Sequence, residues 1–410
     1  MRIGVVTQWY PPENPAIAGR TIAHALADRG HEVHVVTGFP NYPDGVLYPG
    51  YSLRPYLREV DRDVTVHRGP LVPSHDRSAI RRATNYLSFA AGGTWAAARV
   101  PRPDAWITNG TPVTAAVPAT VWSHMSGVPH AIVVQDLWPE SVTESGFLGD
   151  RANRVVDTVL RPASTAIYRA ADAVGVISPG MRGVLERRGV DPQGICYTPN
   201  AVGDSHLLTG RVDRAALRRT LGLPENGLLF MYAGNLGELQ CLDNLIAAFG
   251  GVPSAQLVLV GSGVARERLE AQASVLPNVT VIDRQPLDKI GTYLAASDVQ
   301  VVSLADSPLL RVTMPSKVQT SLAVGRPILA HAAGDAATVV EELGAGIATP
   351  PDNPARTRLA IESFARRARS ELEQMGATAR EAYERAYTPA KTGERLESLL
   401  STAVERNHSD

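Results

Sequence analysis

Pro315, Ser316 and Lys317 stand where a short loop carrying Arg311 runs into an apolar helical stretch, 318–324. Proline suits the opening of a helix, where its missing N–H costs nothing. Serine adds a hydroxyl, and lysine adds a cation beside free backbone N–H groups and the positive end of the helix dipole. The pattern is that of a phosphate-holding helix start. Arg311 and Lys317 flank this start, and a departing diphosphate needs cations and N–H donors already aimed at its developing charge. The alternative for Arg311 is a surface ion pair with Asp306. Gly325 closes the helix, Pro327 blocks its continuation, and 328–330 resumes as a strand.

Three glycine-bearing turns follow predicted strands. Gly234-Asn-Leu-Gly237, with Asn235 inside it, succeeds a strand over 228–233 and suits contact with a diphosphate or a plain turn equally. Gly261-Ser-Gly263 succeeds a strand over 256–260 but lacks the third glycine of a dinucleotide fingerprint, so it reads as a tight turn whose backbone comes close to a ligand. Gly19 and Arg20 open the helix after the first strand, where Gly19 would admit a phosphate and Arg20 would supply charge; a plain helix start with a solvated arginine is the alternative. In the first half of the chain, Asp136 and Glu140 lie just beyond the strand 131–134, where open α/β sheets collect their chemistry. Asp136 is the candidate to orient or deprotonate an acceptor hydroxyl, against the competing role of helix cap. His34 and His130 fall on predicted strands and read as structural.

These residues must be positioned by an α/β architecture. Short β-branched runs alternate with amphipathic segments, the pattern of β-α-β units around parallel sheets. Strands are predicted over 3–7, 33–37, 64–68, 105–108, 131–134, 173–177 and 195–198, then over 228–233, 256–260, 279–282, 299–303, 328–330 and 346–349. Helices are predicted over 16–29, 83–99, 114–125, 151–169 and 179–188 in the first half. Two doubly wound, Rossmann-like domains with a cleft between them follow. The first is expected over 1–205 and the second over 206–385, with a polar seam at 201–226 and a last helix, 386–410, able to cross back to the first domain.

Bulk composition narrows the class. At 410 residues, 44% hydrophobic and 20% charged, the chain has apolar material for two cores. A net charge of −1 provides no global attraction to nucleic acid, which is not expected as a partner. Two cysteines, Cys196 and Cys241, make neither a CxxC pair nor a disulfide framework; with no signal-peptide pattern and no apolar run long enough to span a bilayer, a cytoplasmic location is expected. HExxH and CxxC strings are absent, so no metal and no resident cofactor are expected. The segment 77–99 is basic at its start and carries Tyr86, Leu87, Phe89 and Trp95, so it reads either as a core helix or as a peripheral contact with the inner face of a membrane.

Several uncommon strings carry a resemblance: Tyr10-Pro-Pro-Glu13, Arg29-Gly-His-Glu-Val33, Thr37-Gly-Phe-Pro-Asn-Tyr-Pro43, Asp136-Leu-Trp-Pro-Glu140, Pro315-Ser-Lys317 and Leu322-Ala-Val-Gly-Arg-Pro327. Over nearly its whole length the chain resembles retaining glycosyltransferases of family 4 with the GT-B fold, and most specifically bacterial surface-polysaccharide transferases of the N-acetylfucosamine type. The resemblance implies a nucleotide-sugar donor, UDP-linked, held mainly by the second domain and a hydroxyl-bearing acceptor, a lipid-linked saccharide among the candidates, held mainly by the first. The donor base would lie near Arg284 and Pro286, and the diphosphate would meet Gly19, Ser316 and Lys317. Many family members carry two glutamates seven residues apart, at positions held here by Val312 and Thr320. The usual arginine and lysine after the first strand of the second domain stand here as Asn235 and Gln240, which shifts the phosphate burden to Lys317 and Arg311. A nucleotide-sugar-binding subunit without turnover and a nucleotide-sugar 2-epimerase are the rival expectations.

Overall fold

The computed structural model describes residues 1–13, 17–74, 79–143, 156–203, 207 and 212–408. The chain divides into two compact units, 1–200 with 389–410, and 201–388. The boundary expected between 205 and 206 lies outside the described residues, as do the first residues of the segment 77–99 and residues 151–155 of a predicted helix.

In the first unit eight strands form one sheet. They are β1 (Arg2–Val6), β2 (Glu32–Gly38), β3 (Leu57–Asp61), β4 (Val64–Gly69), β5 (Ala105–Asn109), β6 (His130–Val134), β7 (Ala173–Val176) and β8 (Ile195–Tyr197). Their order is β3-β4-β2-β1-β5-β6-β7-β8, parallel at every pairing except β3 with β4. Central strands such as β5 and β6 are buried along their whole length, as a sheet covered by helices on both faces requires. β3 was not expected. Leu57-Arg-Glu-Val-Asp61 alternates half-buried and exposed residues at the sheet edge, and such a polar edge strand escapes a search for apolar β-branched runs.

Helices fill the connections at Ile17–Ala27, Ala79–Ala97, Val117–Ser126, Arg161–Arg169 and Pro179–Arg187. The last helix of the chain, Pro389–Asn407, belongs to this unit. It buries Leu396, Leu399, Leu400 and Ala403, and its Glu397 pairs with Arg29 at 2.5 Å and His31 at 2.8 Å.

The second unit holds a six-stranded, fully parallel sheet: β9 (Leu228–Asn235), β10 (Ala255–Ser262), β11 (Val279–Ile282), β12 (Val299–Ser303), β13 (Ile328–His331) and β14 (Gly346–Thr349). The order is β11-β10-β9-β12-β13-β14, so successive connections leave β9 to opposite sides and open a crevice at the carboxyl ends of β9 and β12. Phe230 on β9 stacks edge-on against Phe249 at 5.2 Å and Phe364 at 5.7 Å, which fixes helices Leu242–Phe249 and Pro354–Arg366 to one sheet face. Helix Ser316–Val324 covers the other face with buried Val318, Leu322 and Val324.

Candidate functional site

The Ser316–Val324 helix starts after Pro315, whose extended backbone (φ −70°, ψ 141°) turns the chain into the helix; no side chain caps this end. Its first N–H groups are therefore available to a ligand. At the other end Gly325 adopts φ +70° and stops the helix. Lys317 is half-buried in the first turn. Its Nζ stands 5.2 Å from the centre of the Tyr232 ring, and burial draws its pKa below the ordinary lysine value. Among the described residues no carboxylate lies within 4 Å of this ammonium. A partly desolvated cation of this kind is completed by an anionic ligand.

Gly234 makes the room that Lys317 occupies. With φ +149°, a β-carbon at this position would lie 2.5 Å from Lys317 Cε and 2.7 Å from Nζ. Gly234 pairs in register with Gly261 on β10, where a β-carbon would lie 1.9 Å from the Gly234 carbonyl oxygen. The two glycines thus bring two strand ends together under one lysine. The turn beyond is closed by neutral groups: the Tyr232 hydroxyl donates to the Asn235 carbonyl at 2.7 Å, and Gln240 Oε1 accepts from Asn235 Nδ2 at 3.2 Å and from the Gly237 N–H at 3.1 Å. Where the family resemblance leads one to expect two cations, Asn235 and Gln240 are joined to each other.

A cavity of about 610 Å³ opens here. Gly234, Asn235, Gly261, Arg284, Ser316, Lys317 and Thr320 all line it; Gly237, Pro286 and Arg311 do not. Arg311 is exposed and forms a two-pronged pair with Asp306 at 2.5 and 2.7 Å, the surface ion pair that is the alternative to phosphate contact. Thr320 commits its hydroxyl to the Ser316 carbonyl at 3.0 Å. Sequence reasoning missed the apolar wall, Leu287, Ile290 and Leu294, and Gln300, whose amide donates to the Leu294 carbonyl at 3.0 Å and to Ser297 Oγ at 2.6 Å. The signal for Gln300 was present as a lone amide within the apolar run Val299–Ser303.

In the first unit, Asp136 lies two residues beyond β6, half-buried, and accepts a hydrogen bond from Thr111 Oγ1 at 3.2 Å. Burial raises its pKa, and the Thr111 bond opposes this in part. Glu140 is instead occupied by Arg161 at 2.5 Å and by Arg188. Burial pushes Glu140 upward, but the two guanidinium groups outweigh it and hold its carboxyl below the ordinary value. Gly19 packs on the end of β1, where a β-carbon would stand 2.6 Å from Thr7 Oγ1, and the exposed Arg20 pairs with Asp61 at 3.4 Å. Among the described residues no group of three or more His, Cys, Asp or Glu side chains is arranged to hold a metal ion.

Residues 17–201 match the glycosyl transferase 4-like domain, and residues 227–366 match glycosyl transferases group 1. The putative colanic acid biosynthesis glycosyl transferase WcaI of Escherichia coli K12 is 30% identical over 336 residues, which span 79% of this chain and 82% of that protein. The chain belongs to the family 4/group 1 glycosyltransferases. Solved structures agree on the fold: sucrose-phosphate synthase from Thermosynechococcus elongatus superimposes with a TM-score of 0.75 at 19% identity over 97% of this chain and 98% of its own. HepE of Anabaena, solved in complex with UDP, gives 0.71 at 16% identity over 98% and 100%. The architecture is GT-B, two Rossmann-like α/β domains.

Within the first domain of this glycosyltransferase, two of the strings that carry the family likeness meet. The buried Glu13 accepts from the N–H groups of Tyr10 at 3.2 Å, Asn41 at 2.8 Å and Tyr42 at 2.9 Å, and so ties the loop after β1 to the loop after β2. Burial raises its pKa to about 6 even against these three donors. Arg68, also buried, donates to the carbonyls of Gly38 and Pro11 and reinforces the same junction. These strings therefore build the loops at the sheet's carboxyl edge, where side chains such as Asn41 and Asn85 are held rigid by an amide pair at 3.2 Å. The transferase has no described helix long and apolar enough to cross a membrane.

Proposed function

We propose that this glycosyltransferase moves a sugar from a UDP-linked donor to a hydroxyl of a bacterial surface polysaccharide or its lipid-linked precursor, with retention at the anomeric carbon. One observation carries the donor half: Lys317, half-buried and without a carboxylate partner among the described residues, sits in the first turn of an uncapped helix and lines a cavity of nucleotide size. There Lys317 and the helix N–H groups receive the diphosphate as the bond from the anomeric carbon to phosphate oxygen breaks. Ser316 and the backbone at Gly234 and Gly261 complete the phosphate contact, Arg284 borders the base, and Arg311, outside the cavity lining, adds a second cation by exchanging Asp306 for phosphate.

The acceptor oxygen attacks the face the diphosphate leaves, and Asp136 orients the acceptor hydroxyl and draws on its proton. Similarity to a protein named for colanic acid biosynthesis supports a polysaccharide acceptor, as do the strings shared with N-acetylfucosamine-type transferases. Helix Ala79–Ala97 supports peripheral contact with a membrane that carries the acceptor: it exposes Ile80, Leu87 and Trp95, with Arg99 stacked on Trp95 at 3.3 Å. The test is calorimetric titration of UDP and uridine into wild type and Lys317→Ala, with transfer from UDP-sugars measured in parallel. Loss of UDP affinity with uridine affinity retained supports the assignment; normal turnover by Lys317→Ala removes it.

A further inference from the structure

A second cavity, about 900 Å³, lies at the opposite, amino-terminal edge of the second sheet, beside Leu228 at the start of β9, Asp298 before β12 and Pro327 before β13. Four arginines line it, Arg214, Arg326, Arg367 and Arg369, against two carboxylates, Asp298 and Glu373. The carboxylates are already taken. Asp298 serves Arg218 at 2.5 Å, Arg214 at 3.2 Å and the Leu229 N–H at 2.9 Å, while Glu373 serves Arg369 at 3.2 Å and Arg214 at 3.9 Å.

Arg326 and Arg367 are left over. Arg326 reaches only two carbonyls, at 3.2 and 3.4 Å, and the buried Nε atoms of both residues have no hydrogen-bond partner. Among the described residues neither guanidinium has a carboxylate within 4 Å. Burial and the nearby Arg214 charge push Arg326 down to about 10, with Asp298 and Glu373 opposing in part. Holding partly buried guanidinium groups together without counter-charge is costly, and a fork-shaped donor set of this kind matches the oxygens of phosphate.

We infer that this cavity is a second anion site, distinct from the donor cavity, that takes the phosphoryl group of a small organic phosphate monoester on Arg326 and Arg367. The lining charge, four arginines against two acids, is balanced by a dianion, the state a phosphate monoester approaches at neutral pH. The volume exceeds that of inorganic phosphate alone, and Leu228, Pro327 and Leu372 give an apolar wall for the ester's carbon skeleton.

Helix Ser316–Val324 has the donor cavity at its first residues and the second cavity at its closing Gly325, so the test must separate the two. Glucose 6-phosphate and inorganic phosphate are titrated against the full-length protein, with melting temperature and calorimetry as readouts. Wild type and Lys317→Ala should both gain on the order of 5 °C when the ester is about 100-fold above its Kd, and the double variant Arg326→Gln/Arg367→Gln should gain none. Glu373→Gln, at the exposed rim, should bind the ester several-fold more tightly, which keeps the test valid if the double variant does not fold. Equal shifts in the arginine variant, no shift in wild type, or a shift abolished by Lys317→Ala alone would each overturn the second site, and the last would assign the binding to the donor cavity. The donor reading fails independently, by UDP titration.

Discussion

Lys317 lies over the α-carbon of Gly234, so close that a β-carbon on residue 234 would meet its Cε at 2.5 Å and its Nζ at 2.7 Å. The atoms in the way are the free end of a flexible side chain, so Gly234→Ala should fold and expel the ammonium from its place over Tyr232. Backbone strain at φ +149° adds a cost of order 1–3 kcal/mol. The expected result is a melting temperature lowered by a few degrees together with a loss of UDP affinity comparable to that of Lys317→Ala. A variant that binds UDP normally would show that the glycine serves only the turn.

Removal of the ammonium itself, in Lys317→Ala, should lower kcat by about 10²–10³, the range seen when one preorganised donor to a developing oxyanion is lost. The pH dependence has a definite sign. Burial lowers the lysine pKa, so UDP affinity should fall as pH rises through a value below the ordinary 10.5. Lys317→Arg remains charged throughout and should lose this alkaline limb. Titrations of wild type and Lys317→Arg between pH 7 and 10 decide the point.

Parallel strands buried on both faces leave apolar β-branched runs, so β9, β10, β12 and β13 and the helix after Pro315 are legible from residue order alone. The edge strand Leu57–Asp61 is not, because half-exposed charged residues carry no apolar signal. Within the site, Ser316, Lys317 and the glycine turns are legible through backbone chemistry. The partner of Arg311 is not, since Asp306 and a phosphate are equally good ligands for a guanidinium and only geometry chooses between them. Likewise Glu13 gives no sequence sign of its role, because its three N–H donors come from two separate loops.

Arg311 tests that choice. Its pair with Asp306 is exposed, and such pairs contribute little to stability. Arg311→Ala should therefore leave the melting temperature of the unliganded protein unchanged. As the second diphosphate cation it should weaken UDP binding by roughly tenfold, with a smaller effect on uridine. Unchanged UDP affinity would assign Arg311 to the surface alone.

Asp136 should separate acceptor chemistry from donor binding. Asp136→Asn is expected to lower kcat by about 10²–10⁴ with UDP affinity intact. Thr111→Val makes the sharper test, because the hydrogen bond at 3.2 Å opposes the upward shift that burial imposes on the carboxyl. Without it the pKa rises further, and the acid limb of kcat/KM should move to higher pH. An unmoved limb would exclude Asp136 as the titrating group.

Three buried histidines set the acid limit of the fold. Burial holds His67 at about 4, His331 at about 4 and His130 at about 3, each below the ordinary 6.5. Two of them have hydroxyl partners, His130 with Thr108 at 2.9 Å and His331 with Ser303 at 2.7 Å. The unfolded chain takes up these protons as pH falls below 6.5 while the folded chain does not, so stability is complete above 6.5 and is lost between 6.5 and 4. A shift of 2.5 pH units corresponds to about 3 kcal/mol for one such residue. Glu13, raised to about 6, and Asp136, raised by burial, work in the opposite direction as pH falls towards their ordinary 4.5 and 3.8, but they are two groups against three. Urea unfolding followed from pH 7.5 to 4.5 should show a steep fall in the midpoint. His331→Gln, which keeps a side chain able to bond Ser303 but does not titrate, should show a shallower one. Parallel profiles for the two proteins would rule His331 out as a contributor.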